Sequence, residues 1–162
     1  MKVVADLIKE YEGFKQYPYK CPGGYWTIGY GSRYYPGGAE VSENDPSITR
    51  QIAEKMLNDY LSKYVLPCID KLENARAAKR KTKSFKNYSL PAKFTQNQIE
   101  ALASLIYNIP VKQFEKSKCY AGIVDDDLAA IYKEWDWIYA GGKVQAGLCK
   151  RRAAEKDCFF NF

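Results

Sequence analysis

An acid stands where the chain asks for a core residue. Val4, Leu7, Ile8 and Tyr11 fall at i, i+3, i+4 and i+7, the apolar stripe of an amphipathic helix. The next position on that stripe is Glu12, and a carboxylate on a face meant for burial is costly unless it is paired or protonated. Glu10 lies off the stripe and reads as a solvated acid. Gly13 ends the helix as a C-cap glycine would. Residues 16–21 then read as a short strand, Pro22-Gly23-Gly24 as a turn and residues 25–30 as the returning strand. With a simple loop, Cys21 faces Tyr25 and Tyr19 faces Thr27. Side chains alternate along a strand, so Tyr17, Tyr19, Cys21, Tyr25 and Thr27 are expected on one face. A thiol and a hydroxyl thus share a surface close to a helix end that carries an acid. A bulge in the hairpin would break this alignment.

Composition narrows the chemistry. The chain has 162 residues and no histidine, which excludes Ser-His and Cys-His nucleophilic catalysis and His-Glu-x-x-His zinc sites. Carboxylates, thiols, hydroxyls, tyrosines or basic residues must do any chemistry. The length suits one domain, or two lobes sharing a core, that buries roughly two-thirds of its unfolded surface. Five cysteines, an odd number without a Cys-x-x-Cys pair, signal neither a disulfide framework nor a metal knuckle. No apolar run near the N-terminus is long enough for a signal peptide or a membrane span, so a reducing cytoplasm is the expected site of synthesis. A formal net charge of +6 favours anionic polymers without choosing among nucleic acid, acidic lipid and cell wall.

Further along, residues 32–38 are rich in turn formers and aromatics and are expected to complete a small sheet. Thr49 reads as an N-cap. Behind it Ile52, Met56, Tyr60 and Tyr64 recur every fourth residue beside Leu57, Leu61 and Val65, a helix buried on one side. Pro67 should kink or end it, with the pattern resuming through Leu72. Residues 74–93 carry a basic run, Lys79-Arg80-Lys81-Thr82-Lys83, read as a solvated loop or helix extension ahead of a binding patch. Thr95 and Gln98 form a capping box, with Ile99, Leu102, Ala103 and Ile106 as the stripe behind it. Asp125, Asp126 and Asp127 read as acids at a helix start before they read as a cation site. The stripe of that helix is Leu128, Ile131, Tyr132 and Trp135. No internal repeat or flexible interdomain linker is evident.

Glu12, eight residues, Cys21, five residues, Thr27, then Ile28-Gly29-Tyr30-Gly31, resembles the phage-type lysozymes of glycoside hydrolase family 24. These are endolysins with a Glu, Asp-or-Cys, Thr triad. Thr95-Gln96-Asn97-Gln98-Ile99-Glu100-Ala101-Leu102, Tyr107-Asn108, residues 137–143 and residues 147–155 extend the resemblance over nearly the whole chain apart from 74–93. It departs at Ser32, where the family often has His, and at Pro110, where it usually has Gly.

The resemblance implies an α+β, lysozyme-like fold. A small-sheet N-terminal lobe, about residues 13–48, is joined by a helix, about 49–72, to a mainly helical C-terminal lobe, about 94–162, with helix 1–12 packed on it. It implies Glu12 as general acid, Thr27 beside the attacking water, and Cys21 where most members carry Asp. The thiol could act as a base, attack the sugar carbon, or leave room for water; taken alone, it reads as a small apolar filler. Tyr19 and Trp26 are expected to border the sugar groove, core packing being an equal reading for Trp26. Arg151, rather than Arg152, is expected near the catalytic acid, the alternative being that it pairs with Glu155 one turn later.

The implied activity is hydrolysis of the β-1,4 bond between N-acetylmuramic acid and N-acetylglucosamine in peptidoglycan, with host lysis as its outcome. No cofactor, no metal, no nucleic acid and no stable membrane insertion are expected. The protein should be a monomer made in the host bacterial cytoplasm and released by a holin. A lytic transglycosylase, which needs one acid and no activated water, and a non-catalytic wall-binding protein are the alternatives.

Overall fold

The computed structural model describes residues 5–21, 23–82 and 88–161. Val4 of the first stripe, Pro22 of the turn and Lys83 of the basic run lie outside them. Contacts group the chain into two units, Met1–Tyr64 and Val65–Phe162.

In the first unit, α1 (Asp6–Glu12) buries Ile8 and half-buries Leu7 and Tyr11, while Glu10 is exposed. Strands β1 (Lys15–Lys20) and β2 (Trp26–Gly29) pair antiparallel. Each is shorter at the turn end than spacing implied, so Cys21 and Tyr25 stand just past the ladder. Isolated bridges Ile28–Ser32 and Tyr34–Glu40 carry the chain through the aromatic turns. Helix α2 (Arg50–Tyr60) starts where expected, with the Thr49 hydroxyl accepting from the Ile52 amide at 3.2 Å. Lys9 of α1 reaches Glu54 of α2 at 3.1 Å.

The buried row of α2 is not the one its largest residues marked out. Ala53, Met56 and Leu57 are buried, whereas Ile52, Tyr60 and Tyr64 are exposed. The reason is the tight approach of α2 to β2. A Cβ on Gly29 would meet the Ala53 Cβ at 3.0 Å and the Ile48 Cδ1 at 3.3 Å, and Gly29 has φ 68°. That contact selects a small residue for the helix face, so Ala53 turns inward and Ile52 outward.

A π-helical turn (Leu61–Val65) leads without a break into α3 (Leu66–Thr82). In regular α geometry the Pro67 ring would press on the carbonyl four residues back. The wider π turn just before it relieves that crowding, so the proline changes the helix type without ending the helix, which runs well past Leu72. Val65, Cys68, Ile69, Leu72 and Arg76 are buried along it.

The basic run at the end of α3 holds its own chain down. Arg76 donates to the Pro91 carbonyl at 2.9 Å and stacks 4.4 Å from the Phe94 ring centroid. Arg80 donates to the Leu90 carbonyl at 2.6 Å and stacks 4.2 Å from the Tyr88 ring, whose hydroxyl returns a bond to the Arg80 carbonyl at 2.8 Å. Lys79 pairs with Asp125 at 2.9 Å. The described part of the run is therefore a helix extension, and its Arg80, with Arg76 one turn earlier, staples residues 88–94.

Helix α4 (Gln96–Asn108) carries the full capping box between Thr95 and Gln98 and buries every residue from Ala101 to Ile106. Ile99 is only half-buried, because this helix is enclosed on several sides and no single stripe describes it. Ile109 is extended ahead of Pro110, as a residue before proline prefers, and Pro110 starts α5 (Val111–Glu115). Then come α6 (Lys118–Asp125) and α7 (Leu128–Glu134). The three aspartates between them have separate duties. Asp125 holds Lys79, Asp126 accepts from the Ser89 and Leu90 amides at 2.7 and 3.0 Å, and Asp127 caps α7 through the Ala130 amide at 3.0 Å. Of the expected α7 stripe, Ile131 and Trp135 are buried; Tyr132 is exposed and rests against Phe160, ring centroids 5.5 Å apart. A two-residue hairpin, β3 (Tyr139–Ala140) with β4 (Lys143–Val144), precedes α8 (Ala146–Phe160).

A carboxylate lies at the centre of this second unit. Glu155 of α8 is fully buried. Its Oε1 accepts from Ser104 Oγ at 2.6 Å, Arg152 Nη2 at 2.8 Å and Arg151 Nε at 3.1 Å, and its Oε2 accepts from Trp135 Nε1 at 3.0 Å. Removing one member of a buried charge cluster strands the others. Glu155→Ala is expected to lower unfolding free energy by about 3–5 kcal/mol, measured by urea denaturation; a loss within experimental error would show that the cluster contributes nothing net.

Candidate active site

Glu12 is the last residue of α1 and is half-buried. The chain leaves the helix at once, because Gly13 has φ 65° and ψ 158° while its amide still closes onto the Lys9 carbonyl at 3.1 Å. That backbone region is essentially open only to glycine. A Cβ at Gly13 would meet nothing within 4 Å, so the demand comes from the backbone and not from packing. Two residues later β1 begins, which ties the acid to the hairpin through a very short connection.

In the hairpin, Tyr19 pairs with Thr27 and Lys20 with Trp26. Beyond the ladder the Cys21 amide donates to the Tyr25 carbonyl at 2.9 Å, and the Gly24 amide closes the turn onto the Cys21 carbonyl at 2.8 Å. Cys21 therefore does face Tyr25, and Tyr19, Cys21, Tyr25 and Thr27 share a face as alternation requires. The register does slip, between Lys15 and Tyr19. The slip lies on the far side of Tyr19 from the turn, so it takes Tyr17 out of the paired set and leaves the other four aligned.

Thr27 is 5% exposed, and its hydroxyl donates to the Tyr19 carbonyl at 3.2 Å. A hydroxyl has one hydrogen and two lone pairs. With the hydrogen engaged, the group is set to accept from another donor. Cys21 is half-buried with a free thiol. Tyr19 and Trp26 are also half-buried, with the Lys20 ammonium 5.4 Å from the Trp26 ring centroid. Arg151 belongs to the second unit, where it spans Glu155 and Ser104, the Ser104 carbonyl accepting from its Nη2 at 3.0 Å. The contact with Glu155 is the alternative partner its spacing allowed.

One residue on this face was not singled out by motif. The Ile28–Ser32 bridge, with both amides bonded at 3.0 and 2.9 Å, places the next pair outward as Thr27 and Arg33. The Arg33 guanidinium carbon lies 3.8 Å from the centroid of Tyr25 and 5.1 Å from that of Tyr34, and Nη2 meets Glu40 Oε1 at 3.1 Å. The signal was present in the sequence: two glycines flanking Tyr30 make a tight return, after which alternation returns Arg33 to the face of Thr27. Among the described residues no cluster of three or more His, Cys, Asp or Glu could hold a metal ion.

A family model described as Phage lysozyme matches residues 9–155. The endolysin of Acyrthosiphon pisum secondary endosymbiont phage 1 is 29% identical over 158 residues, covering 94% of this chain and 92% of that protein. The endolysin of Bacillus phage PZA is 32% identical over 157 residues, covering 95% of this chain but 52% of that protein, so the chain spans about half the length of this relative. A mutant of P22 lysozyme superimposes with a TM-score of 0.73 over 99% of this chain and 97% of that one, at 23% identity, which establishes a shared lysozyme-like fold.

Two expected outcomes follow from the geometry. Gly13→Ala should cost about 1–3 kcal/mol of stability through backbone strain alone, read from its shift in denaturant midpoint; an unchanged midpoint would mean the α1 exit relaxes freely. Burial pushes the Cys119 thiol up to about 12 and the Cys68 thiol up to about 11, so both stay protonated and unreactive at pH 8. Iodoacetamide at that pH should label half-buried Cys21 and Cys149 in the folded protein and spare those two, as peptide mass mapping would show.

Proposed function

The chain belongs to the phage lysozyme family, and from that membership and the hairpin register we propose that it cleaves the β-1,4 bond between N-acetylmuramic acid and N-acetylglucosamine in peptidoglycan as an endolysin. Glu12 is the general acid and delivers its proton to the leaving glycosidic oxygen as the sugar becomes oxocarbenium-like. Thr27 accepts a hydrogen bond from the attacking water, its own hydrogen being held by the Tyr19 carbonyl. Cys21 flanks the same water from the hairpin end and takes the position of a carboxylate in other members. Tyr19 and Trp26 border the bound glycan.

The observation that carries this reading is the pairing of Tyr19 with Thr27. It sets the hydroxyl and the thiol on one face, just after the helix end that bears the acid. Peptidoglycan is the substrate and the protein acts on the cell wall. No helix of the described residues is long and apolar enough to cross a membrane. Synthesis in the host cytoplasm, release through a holin and action as a monomer complete the proposal.

Mass analysis of fragments from purified murein tests it. Reducing ends are expected; anhydro ends would identify a transglycosylase, and intact murein a wall-binding protein. Folded Glu12→Gln should release no fragments, and near-normal turnover would remove Glu12 from the mechanism. Cys21→Asp should keep substantial activity while Cys21→Ala is much slower on the same murein. Full activity in the alanine variant, with reducing-end products, would reject a necessary role for the thiol and leave the hydrolase standing.

A further inference from the structure

The steps proposed above do not use Arg33, yet its placement is costly to hold. A flexible side chain loses rotamer freedom when it is fixed, and this one is fixed three times: against Tyr25, against Tyr34 and by Glu40. Tyr25 and Tyr34 are themselves exposed, so the stack buries little apolar surface in return. Glu40 occupies only Nη2. Among the described residues, Nε and Nη1 of Arg33 donate to no protein group. A guanidinium presents its donors in a planar fork that fits a carboxylate edge-on, and the Arg33 side chain keeps 37% of its surface exposed while the Tyr25 ring holds it at 3.8 Å. The stack rests on Tyr25, whose carbonyl accepts from the Cys21 amide, and the bridge register sets Arg33 beside Thr27.

We infer that the open edge of Arg33 binds a carboxylate of the peptide stem attached to the muramic sugar, making Arg33 a specificity-determining residue. The inference rests on the peptidoglycan reading above and deepens it. The bond cleaved is the same on a bare or a stem-bearing glycan. Arg33 selects strands whose stems carry free carboxylates, through substrate affinity and not through the chemical step. Because the contact is exposed, its strength falls with added salt.

The test compares wild-type protein with Arg33→Gln on two substrates. One is solubilised murein strands with native stems; the other is the same strands after carbodiimide amidation, which removes the carboxylate charge and keeps glycan and stem length. Arg33→Gln is expected to raise KM on native strands about tenfold, the loss of one charge-assisted contact, with kcat unchanged and with KM on amidated strands within twofold of wild type. Arg33→Lys, which keeps the charge but not the planar stacked fork, should fall between the two. Equal losses on both substrates, a fall in kcat alone, or no loss on either would overturn the inference. Melting temperature and circular dichroism of each variant separate these outcomes from misfolding. If wild-type protein releases no reducing ends from native murein, the peptidoglycan reading fails and not this assignment alone; if it does and Arg33→Gln shows no charge preference, only the assignment falls.

Discussion

The Glu155 carboxylate sets the terms for the second unit. A charge taken out of water is tolerated only where its attraction to partners and its hydrogen bonds offset the lost hydration. Here the donors come from three different helices: Ser104 from α4, Arg151 and Arg152 from α8 itself, and Trp135 from the end of α7. Each apolar neighbour would accept many arrangements, but the four donors accept few. The cluster thus fixes the mutual rotation of those helices, which hydrophobic packing of Leu102, Ile106 and Phe159 alone would leave more open. It also bears on how two arginines of α8 can be buried, since Arg151 and Arg152 enter the core together with the one carboxylate that both of them meet.

The first unit is organised by backbone choices. Gly13 turns the chain sharply after Glu12, and the hairpin turn at Gly23–Gly24 sets the register two residues from Cys21. The acid and the hydroxyl are then carried by short, regular segments, and the thiol stands one residue past the end of β1. The irregularity in β1 falls where it does not disturb them. Sites on regular elements hold geometry more tightly than sites on long loops, and this arrangement keeps the proposed water site on a paired strand while leaving the turn face open to a large polymer.

What could be read in the chain beforehand was what short spacing decides. Thr49, Thr95 with Gln98, and Asp127 cap their helices because a side-chain oxygen and an amide three residues on are neighbours whatever surrounds them. The pairing of Tyr19 with Thr27 follows from a short turn, and Arg151 with Glu155 from one helical turn. What could not be read depends on partners far away in sequence. Ala53 rather than Ile52 faces β2 because Gly29 lets the strand come close. Tyr132 stays outside, where Phe160 and Lys156 from α8 meet its ring. Arg80 of the basic run and Arg76 before it turn inward because residues 88–94 return to them with open carbonyls. The π turn before Pro67 is a backbone insertion that leaves no mark in hydrophobic periodicity.

The close approach of Gly29 to Ala53 also has an evolutionary side. Neither position has a compensating move. Growth at Gly29 would need Ala53 to shrink, and the only smaller residue, glycine, would cost α2 roughly 1 kcal/mol of helix propensity. Growth at Ala53 would push directly on the backbone of β2, where there is no side chain to retract. The two sites therefore behave as a single locus that can drift only if strand and helix separate, and separation would carry the Thr27 hydroxyl with it. A contact with no chemistry of its own thereby restricts which sequences can reach, or leave, this arrangement of the hairpin.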